Sequence, residues 1–336
     1  MTLKIAVLGA GSWGLTLTQV LHDNRHRVTV WEFDRGQAAK LKAARKFKYL
    51  PEVTIPRDVE ISPDMGETVA GADLVVVAVP SPFVRDTVSK LAELPLGRKT
   101  LILCATKGLE DETFQTMSQV IAEELPAAFK NRIAVLSGPN ISKEIALRKP
   151  AATVVACHDL AKAQYLQKEL MTEYFRIYTS TDVIGTELGG AIKNVIAIAC
   201  GICDGMKLGT NAKSALITRG VIEMARLGKH FRAKPETFSG LSGLGDLITT
   251  CYSPFSRNRR CGEMIAAGDT YQQAMKKICT AVEGIKTCQA IYHFSRKYKI
   301  NMPINEQVYK ILVERRPPRQ ALMDLMTREA KHENKV

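Results

Sequence analysis

Aromatic residues make up only 6% of the 336 residues and are not interleaved with the basic clusters, so stacking platforms for single-stranded nucleic acid have little support. The apolar run from Val195 to Ile202 is far shorter than the roughly 20 residues a bilayer crossing needs, and reads as a buried helix rather than a membrane span. Lys4 to Leu8 begin a strand almost at once, without the apolar core and cleavage site of a secretory signal, so a cytoplasmic chain is expected. Eight cysteines are scattered in apolar settings such as Leu101 to Cys104, as suits reduced, buried thiols. Cys200-Gly201-Ile202-Cys203 has the gap of a redox or zinc motif, but it lies mid-helix without a second ligand pair and reads as packing; no metal is expected. His-Glu-x-x-His, G-x-x-x-x-G-K-[ST] and G-x-S-x-G are all missing, which removes zincin, P-loop and hydrolase-elbow chemistry.

Proline and glycine are not in excess, and the 46% hydrophobic and 24% charged fractions are ordinary for a globular chain. The length predicts two units, because single cores seldom grow past about 250 to 300 residues. A formal charge of +13 suits an anionic partner: nucleic acid, a membrane surface or a phosphorylated metabolite. The Lys40 to Lys48 stretch reads as the solvated face and end of a helix, not a nucleic-acid patch.

Lys4 to Leu8, a glycine turn, and the helical spacing of Leu15 to Leu21 give strand, turn and helix; Val28 to Trp31 completes a βαβ unit. Further apolar strands follow at Leu74 to Val79, Thr100 to Cys104, Ile133 to Leu136, Thr153 to Ala156 and Phe175 to Tyr178, with helical patterns at Pro82 to Leu91 and Thr113 to Leu125. Strands apolar throughout are covered on both faces, so the expected fold is α/β: a doubly wound, mostly parallel Rossmann-type sheet. Beyond it the pattern is helical at Glu187 to Cys203, Ala212 to Leu227, Arg259 to Ala267, Glu283 to Lys297 and Asn305 to Val313. The boundary is placed near Ser180 to Gly185, giving a dinucleotide-binding domain over 1–180 and an all-α substrate domain over 181–336.

Gly9-Ala10-Gly11-Ser12-Trp13-Gly14 follows a strand and opens a helix, the context that makes G-x-G-x-x-G specific. Its glycines serve the tight turn, the approach of pyrophosphate and helix–strand packing. Trp13 is expected to cover the cofactor or touch substrate. Glu32, ending the second strand, can accept from adenosine ribose hydroxyls and favours NAD over NADP, although Arg35 could pair with a 2′-phosphate. Lys107 and Ser137-Gly138-Pro139-Asn140 lie at carboxyl ends of strands, where open sheets bind ligands.

Lys193 sits in a helix apolar nearly all round, where an ammonium is costly unless paired, neutralised or working. Burial lowers a lysine pKa and suits proton exchange with an alkoxide, though the side chain could instead snorkel to the surface. Asn194, Gly189 and Gly190 beside it suit close ligand approach. Asp246 could orient Lys193, and Arg257 with Ser256 and the helix that follows could clamp a phosphate; each is otherwise a cap or surface ion pair.

With Gly9 to Gly14, Ser137-Gly138-Pro139, Lys193-Asn194, Leu244-Gly245-Asp246 and Ser256 to Arg259 in this order, the chain resembles the bacterial type of the NAD(P)-dependent glycerol-3-phosphate dehydrogenases over essentially its whole length. The resemblance implies interconversion of dihydroxyacetone phosphate and sn-glycerol 3-phosphate, feeding glycerophospholipid synthesis. It implies that Lys193 is the general acid and base, within polar surroundings completed by Lys107, Asn194 and Asp246. Lys107, Gly138, Asn140, Lys193, Asp246, Ser256, Arg257 and Asn258 are expected at the substrate. Gly9, Gly11, Ser12, Trp13, Gly14, Glu32, Phe33, Lys107, Ser142, Arg257, Ala281 and Glu283 are expected at NAD or NADP. Glu32-Phe33 replaces the family's frequent glycine and basic residue, and Asn140-Ile141-Ser142 its commoner Thr-Phe-Ala. A cleft between the domains, no nucleic-acid or membrane partner, and a homodimer complete the expectations. A two-domain dehydrogenase of hydroxy acids and a nucleic-acid-binding protein with a vestigial nucleotide fold are the rival readings.

Overall fold

The computed structural model describes residues 2–279, 282–330 and 332–333, with backbone alone at Glu52. It divides into two compact units, Met1–Lys107 with Thr116–Val183, and Gly108–Gln115 with Ile184–Val336. Segment 108–115, which chain order would put in the first unit, belongs to the second. There Phe114 stacks on Phe294 and Phe231, with centroids 4.1 and 5.7 Å away.

The first unit runs β1 (Lys4–Leu8), α1 (Ser12–Asp23), β2 (Arg27–Trp31), α2 (Arg35–Ala44), β3 (Lys46–Phe47), β4 (Leu50–Thr54), β5 (Glu60–Ser62), α3 (Met65–Val69), β6 (Leu74–Val77), α4 (Val84–Ala92), β7 (Leu101–Cys104), α5 (Met117–Glu124), β8 (Ile133–Ser137), α6 (Ser142–Ala146), β9 (Ala151–Cys157), α7 (Leu160–Leu170) and β10 (Phe175–Ser180). Eight strands form one sheet in the order β10-β9-β8-β7-β6-β1-β2-β5; every pairing is parallel except β8 with β9. Its side chains alternate between two cores. Ile5, Val7, Leu74, Val76, Leu101 and Leu103 enter one, and Ala6, Leu8, Val75, Val77, Ile102 and Cys104 the other. Both faces are therefore dry, and the strands read as unbroken apolar runs. From β1 the chain steps to β2 on one side and later to β6 on the other, so the strand order reverses at β1 and β6, where ligands of such sheets bind.

Two local expectations need correction. The Lys40 to Lys48 stretch is helical only to Ala44; Arg45 turns left-handed at φ 52°, and β3 pairs antiparallel with β4, where Phe47 meets Tyr49 edge-on at 5.4 Å. The helix read over Thr113 to Leu125 begins only at Met117. Phe114 has a left-handed φ of 61°, and the Thr116 N–H donates to Gln119 Oε1 at 2.9 Å, marking the start.

The helices continue as α8 (Val183–Gly205), α9 (Thr210–His230), α10 (Pro235–Ser239), α11 (Asp246–Tyr252), α12 (Arg257–Ala266), α13 (Tyr271–Ile278), α14 (Glu283–Tyr298), α15 (Pro303–Leu312) and α16 (Pro318–Met326). With 23 residues, α8 is long and apolar enough to cross a bilayer, but 94% of its most apolar stretch is buried inside the protein. Residues 188, 192, 195, 196 and 198–200 form the middle of the second unit's core. Backbones meet where α8 crosses α12: a Cβ on Gly201 would lie 1.9 Å from Arg259 O. Cys200 and Cys203 are buried in this helix.

Candidate active site

In the first unit the three motif glycines have different surroundings. Gly9 has φ +116°, and a Cβ there would sit 2.8 Å from Ala78 O at the end of β6. A Cβ on Gly14 would sit 1.9 Å from Gly9 O, whereas around Gly11 nothing lies within 4 Å. The first and third glycines thus permit backbone packing, and the second faces open space. No side chain caps the amino end of α1, which leaves Ser12 to Gly14 at a helix terminus whose amides and dipole favour an anion.

Trp13 is anchored rather than loose: its indole N–H donates to Ala105 O at 3.1 Å. Glu32 is half-buried; its N–H donates to Ser62 O at 3.1 Å, and its Oε1 accepts the Asp34 N–H at 3.2 Å. Burial raises the carboxyl pKa, with the Asp34 N–H opposing. Phe33 is 75% exposed, 6.5 Å from the Trp31 ring. Arg35 is exposed at the start of α2.

At the carboxyl ends of β7 and β8 the Lys107 ammonium donates to Gly138 O at 2.9 Å. A Cβ on Gly138 would be 2.7 Å from Thr153 Oγ1, the oxygen to which Asn140 Nδ2 donates at 3.0 Å. Asn140 Oδ1 is buried without a hydrogen-bond partner among the described residues. Ser142 opens α6, and its carbonyl accepts from Thr16 Oγ1 at 3.2 Å.

In the second unit, Lys193 of α8 donates to Asp246 Oδ1 of α11 at 2.5 Å and to Thr250 Oγ1 at 2.8 Å. Lys193 and Asp246 side chains are only 9% and 2% exposed, so the lysine does not snorkel out; its cost of burial is met by a counter-charge. Thr250 passes its own proton to Asp246 O at 2.7 Å. Next door, Asn194 Oδ1 accepts from Asn258 Nδ2 at 2.9 Å, and Asn258 Oδ1 accepts the Gly284 N–H at 3.0 Å. Asn194 Nδ2 also reaches Glu283 Oε2 at 3.4 Å. Ser256 caps α12 by accepting the Arg259 N–H at 3.2 Å. Arg257 is exposed in the first turn and has no ion pair among the described residues, whereas Arg259 is engaged by Asp204 at 2.7 Å and by Glu263 at 2.8 Å. Ala281 lies outside the described residues.

Lys193 with Asp246, and Asn194 with Asn258 and Glu283, thus form two hydrogen-bonded sets that start from successive positions of α8, and Lys107, Gly138 and Asn140 lie together in the first unit. Thr250 is absent from the residues singled out by sequence, although its place four residues after Asp246, on the same helical face, was an available signal.

A glycine turn at the switch point of a doubly wound sheet, with a buried lysine–carboxylate pair on the helices that follow, defines a two-unit dinucleotide-dependent dehydrogenase. Models of the NAD-dependent glycerol-3-phosphate dehydrogenase N-terminus and C-terminus match residues 4–163 and 182–323. The chain is 43% identical to the glycerol-3-phosphate dehydrogenase [NAD(P)+] of Syntrophotalea carbinolica, over 98% of its own length and 99% of the relative's. It is 41% identical to that of Bacillus pumilus, over 98% and 96%. The crystal structure of glycerol-3-phosphate dehydrogenase from Coxiella burnetii superposes with a TM-score of 0.92 at 36% identity, covering 97% of this chain and 99% of that one. The chain belongs to the NAD-dependent glycerol-3-phosphate dehydrogenase family, and is an NAD(P)-dependent oxidoreductase.

Proposed function

We propose that this chain reversibly interconverts dihydroxyacetone phosphate and sn-glycerol 3-phosphate at the expense of NAD(P)H or NAD(P)+, with Lys193 giving and taking the proton. The observation that carries the reading is the buried Lys193 ammonium, held by Asp246 and Thr250. A group fixed by two partners can present a proton to a developing alkoxide without reorganising. A nicotinamide nucleotide, when bound, supplies or accepts the hydride. The open space at Gly11 and the uncapped α1 terminus fit its pyrophosphate.

Asp246 acts through Lys193 as a positioning residue. Asn194, oriented by Asn258, is assigned to the polar surroundings of the reacting carbonyl, and Lys107, Gly138 and Asn140 to further substrate contacts. Arg257, without an ion pair among the described residues, and Ser256 at the amino end of α12 are assigned to the phosphate. Ser12, Trp13, Phe33, Ser142, Ala281 and Glu283 are assigned to the cofactor alongside Lys107 and Arg257.

NAD is the preferred cofactor in this reading, because Glu32 ends β2 with a carboxyl that accepts hydroxyls and repels a 2′-phosphate. The enzyme is read as a cytoplasmic homodimer feeding glycerophospholipid synthesis. The burial of α8 supports the reading of a chain that is not membrane-embedded, and the prevalence of two-fold dimers supports the assembly. The test is oxidation of NADH and NADPH, compared, with dihydroxyacetone phosphate and with unphosphorylated dihydroxyacetone. Turnover restricted to the phosphorylated ketone and faster with NADH is expected; equal turnover of the two ketones overturns the substrate assignment.

A further inference from the structure

An apolar cavity of about 410 Å³ opens among α8, α9, α15 and α16 of the second unit, within the ~300–1,000 Å³ usual for small-molecule sites. Its walls include Ile202, Leu216, Ile222, Ile311, Leu322 and Leu325. None of the residues assigned to substrate or cofactor lines it. The wall formed by α16 is unusual. Of its nine residues only Ala321 is buried, although Leu322, Leu325 and Met326 face the cavity, and Met326 is 73% exposed. Short helices are held by burying an apolar face, and this one presents that face to a void. The cavity is also long: its lining on α9 extends from Ala212 to Arg226, roughly 21 Å at the ~1.5 Å rise of a helix.

Charge is uneven around it. Arg219 is paired with Glu333 at 2.7 Å. Arg226 and Arg328 instead converge on Asn301, donating to its main-chain and side-chain oxygens at 3.2 Å each, and neither has a carboxylate partner in the described residues. Glu223 lines the same region, but its oxygens are occupied by the Ile304 and Asn305 N–H groups at 2.5 and 3.2 Å. Glu329 is exposed at the rim. One end of the apolar cavity thus carries two guanidinium groups with no carboxylate at ion-pair distance among the described residues; the buried Glu223, whose oxygens the backbone N–H groups already hold, acts on them only at longer range.

We propose that this cavity binds a single-chain anionic amphiphile, its alkyl chain lying along α9 beneath α16 and its carboxylate head paired with Arg226 and Arg328. Guanidinium forks match a carboxylate geometrically, and the apolar walls supply the burial that retains the chain. A short metabolite would leave most of the cavity unfilled, whereas a fully apolar ligand would leave the arginine pair unused.

The experiment titrates laurate and 1-dodecanol, below their aggregation limits, into the full-length protein and follows heat release and Tm. One saturable laurate site per chain and a raised Tm are expected. Dodecanol should bind about tenfold more weakly, the loss of a charge-assisted contact at a partly exposed site. The R226Q/R328Q variant should bring laurate down to the dodecanol affinity without altering the latter. Leu322→Trp and Ala215→Trp, which fill the cavity from two different helices, should abolish both. Circular dichroism and dihydroxyacetone phosphate turnover verify that each variant is folded, and the arginine variant reads the head-group site if a tryptophan variant is not. Absence of saturable laurate binding overturns the proposal, as does equal affinity for laurate and dodecanol or binding that survives both tryptophan variants. A change in oligomeric mass on filling the cavity, without laurate binding, would assign it to a second copy of the chain instead.

Discussion

Lys193 Nζ lies 2.5 Å from Asp246 Oδ1, and the two side chains come from different helices into a setting where each is almost wholly buried. Neither charge is tolerable there without the other. The pair therefore serves folding as well as chemistry, and its variants separate the roles. Lys193→Ala should lower kcat by about 10² to 10⁴, the usual worth of a positioned acid or base, while leaving NADH binding by fluorescence unchanged. Near-normal turnover would remove the lysine from the mechanism. Asp246→Asn keeps the shape but not the charge; kcat is expected to fall with KM less affected, and the pH dependence of kcat to move. An unmoved pH profile would show Asp246 to be structural only.

The glycine turn offers a sharper contrast between stability and binding. Gly11→Ala adds a methyl where nothing lies within 4 Å, and Gly14→Ala adds one 1.9 Å from Gly9 O. Gly11→Ala should leave Tm within a degree or two of wild type and raise the KM for NADH, because only the bound nucleotide meets the methyl. Gly14→Ala should cost about 1 to 3 kcal/mol of stability, as overpacking does. Thermal unfolding and cofactor titration of both variants decide the matter; an equal loss of Tm would mean that Gly11 is packed against protein.

These two features were legible in the sequence for different reasons. The turn is local: strand, glycine spacing and helix lie within twenty residues, and backbone sterics demand glycine at two of the three positions. Lys193 shows because a charge amid an apolar helix is anomalous wherever it occurs. Its partner Asp246 lies 53 residues away, and chain order suggests the pairing only as one option. Thr250 carries no anomaly of composition; its spacing from Asp246 is the one sequence signal, and its contact with Lys193 shows only when α11 is seen against α8. The same holds for segment 108–115, whose place is decided by Phe114 stacking on aromatics far along the chain. The short strands β3 to β5 were missed because two to five residues with mixed polarity give no period to read.

Arg257 is exposed in the first turn of α12, unlike Arg259, which Asp204 and Glu263 hold. An exposed arginine with no ion pair among the described residues, beside a helix terminus, is available to an anion. Arg257→Ala should raise the KM for dihydroxyacetone phosphate by about ten- to a hundredfold, the worth of charge-assisted hydrogen bonds, with Tm unchanged. Inorganic phosphate should correspondingly lose potency as a competitive inhibitor. An unaltered KM would sink the clamp and return the phosphate to other donors.

Glu32 carries the cofactor preference and, with it, a pH dependence. Burial raises its pKa above the ordinary 4.5, so the folded chain holds this proton to a higher pH than the unfolded chain does. The group's contribution to folding is thus greatest below the unfolded pKa and declines as pH rises through the folded one. Binding runs the other way, because ribose hydroxyls donate to the ionised form. NADH affinity should weaken as pH falls through the raised pKa, and NADPH affinity, limited by repulsion from the same carboxylate, should weaken less. Glu32→Ser should remove this difference between the two cofactors and shift the ratio of their kcat/KM values toward NADPH by about tenfold or more. The pH course of both Kd values in wild type and variant checks the sign as well as the size. A ratio that stays constant across pH and is indifferent to the substitution would take the discrimination away from Glu32.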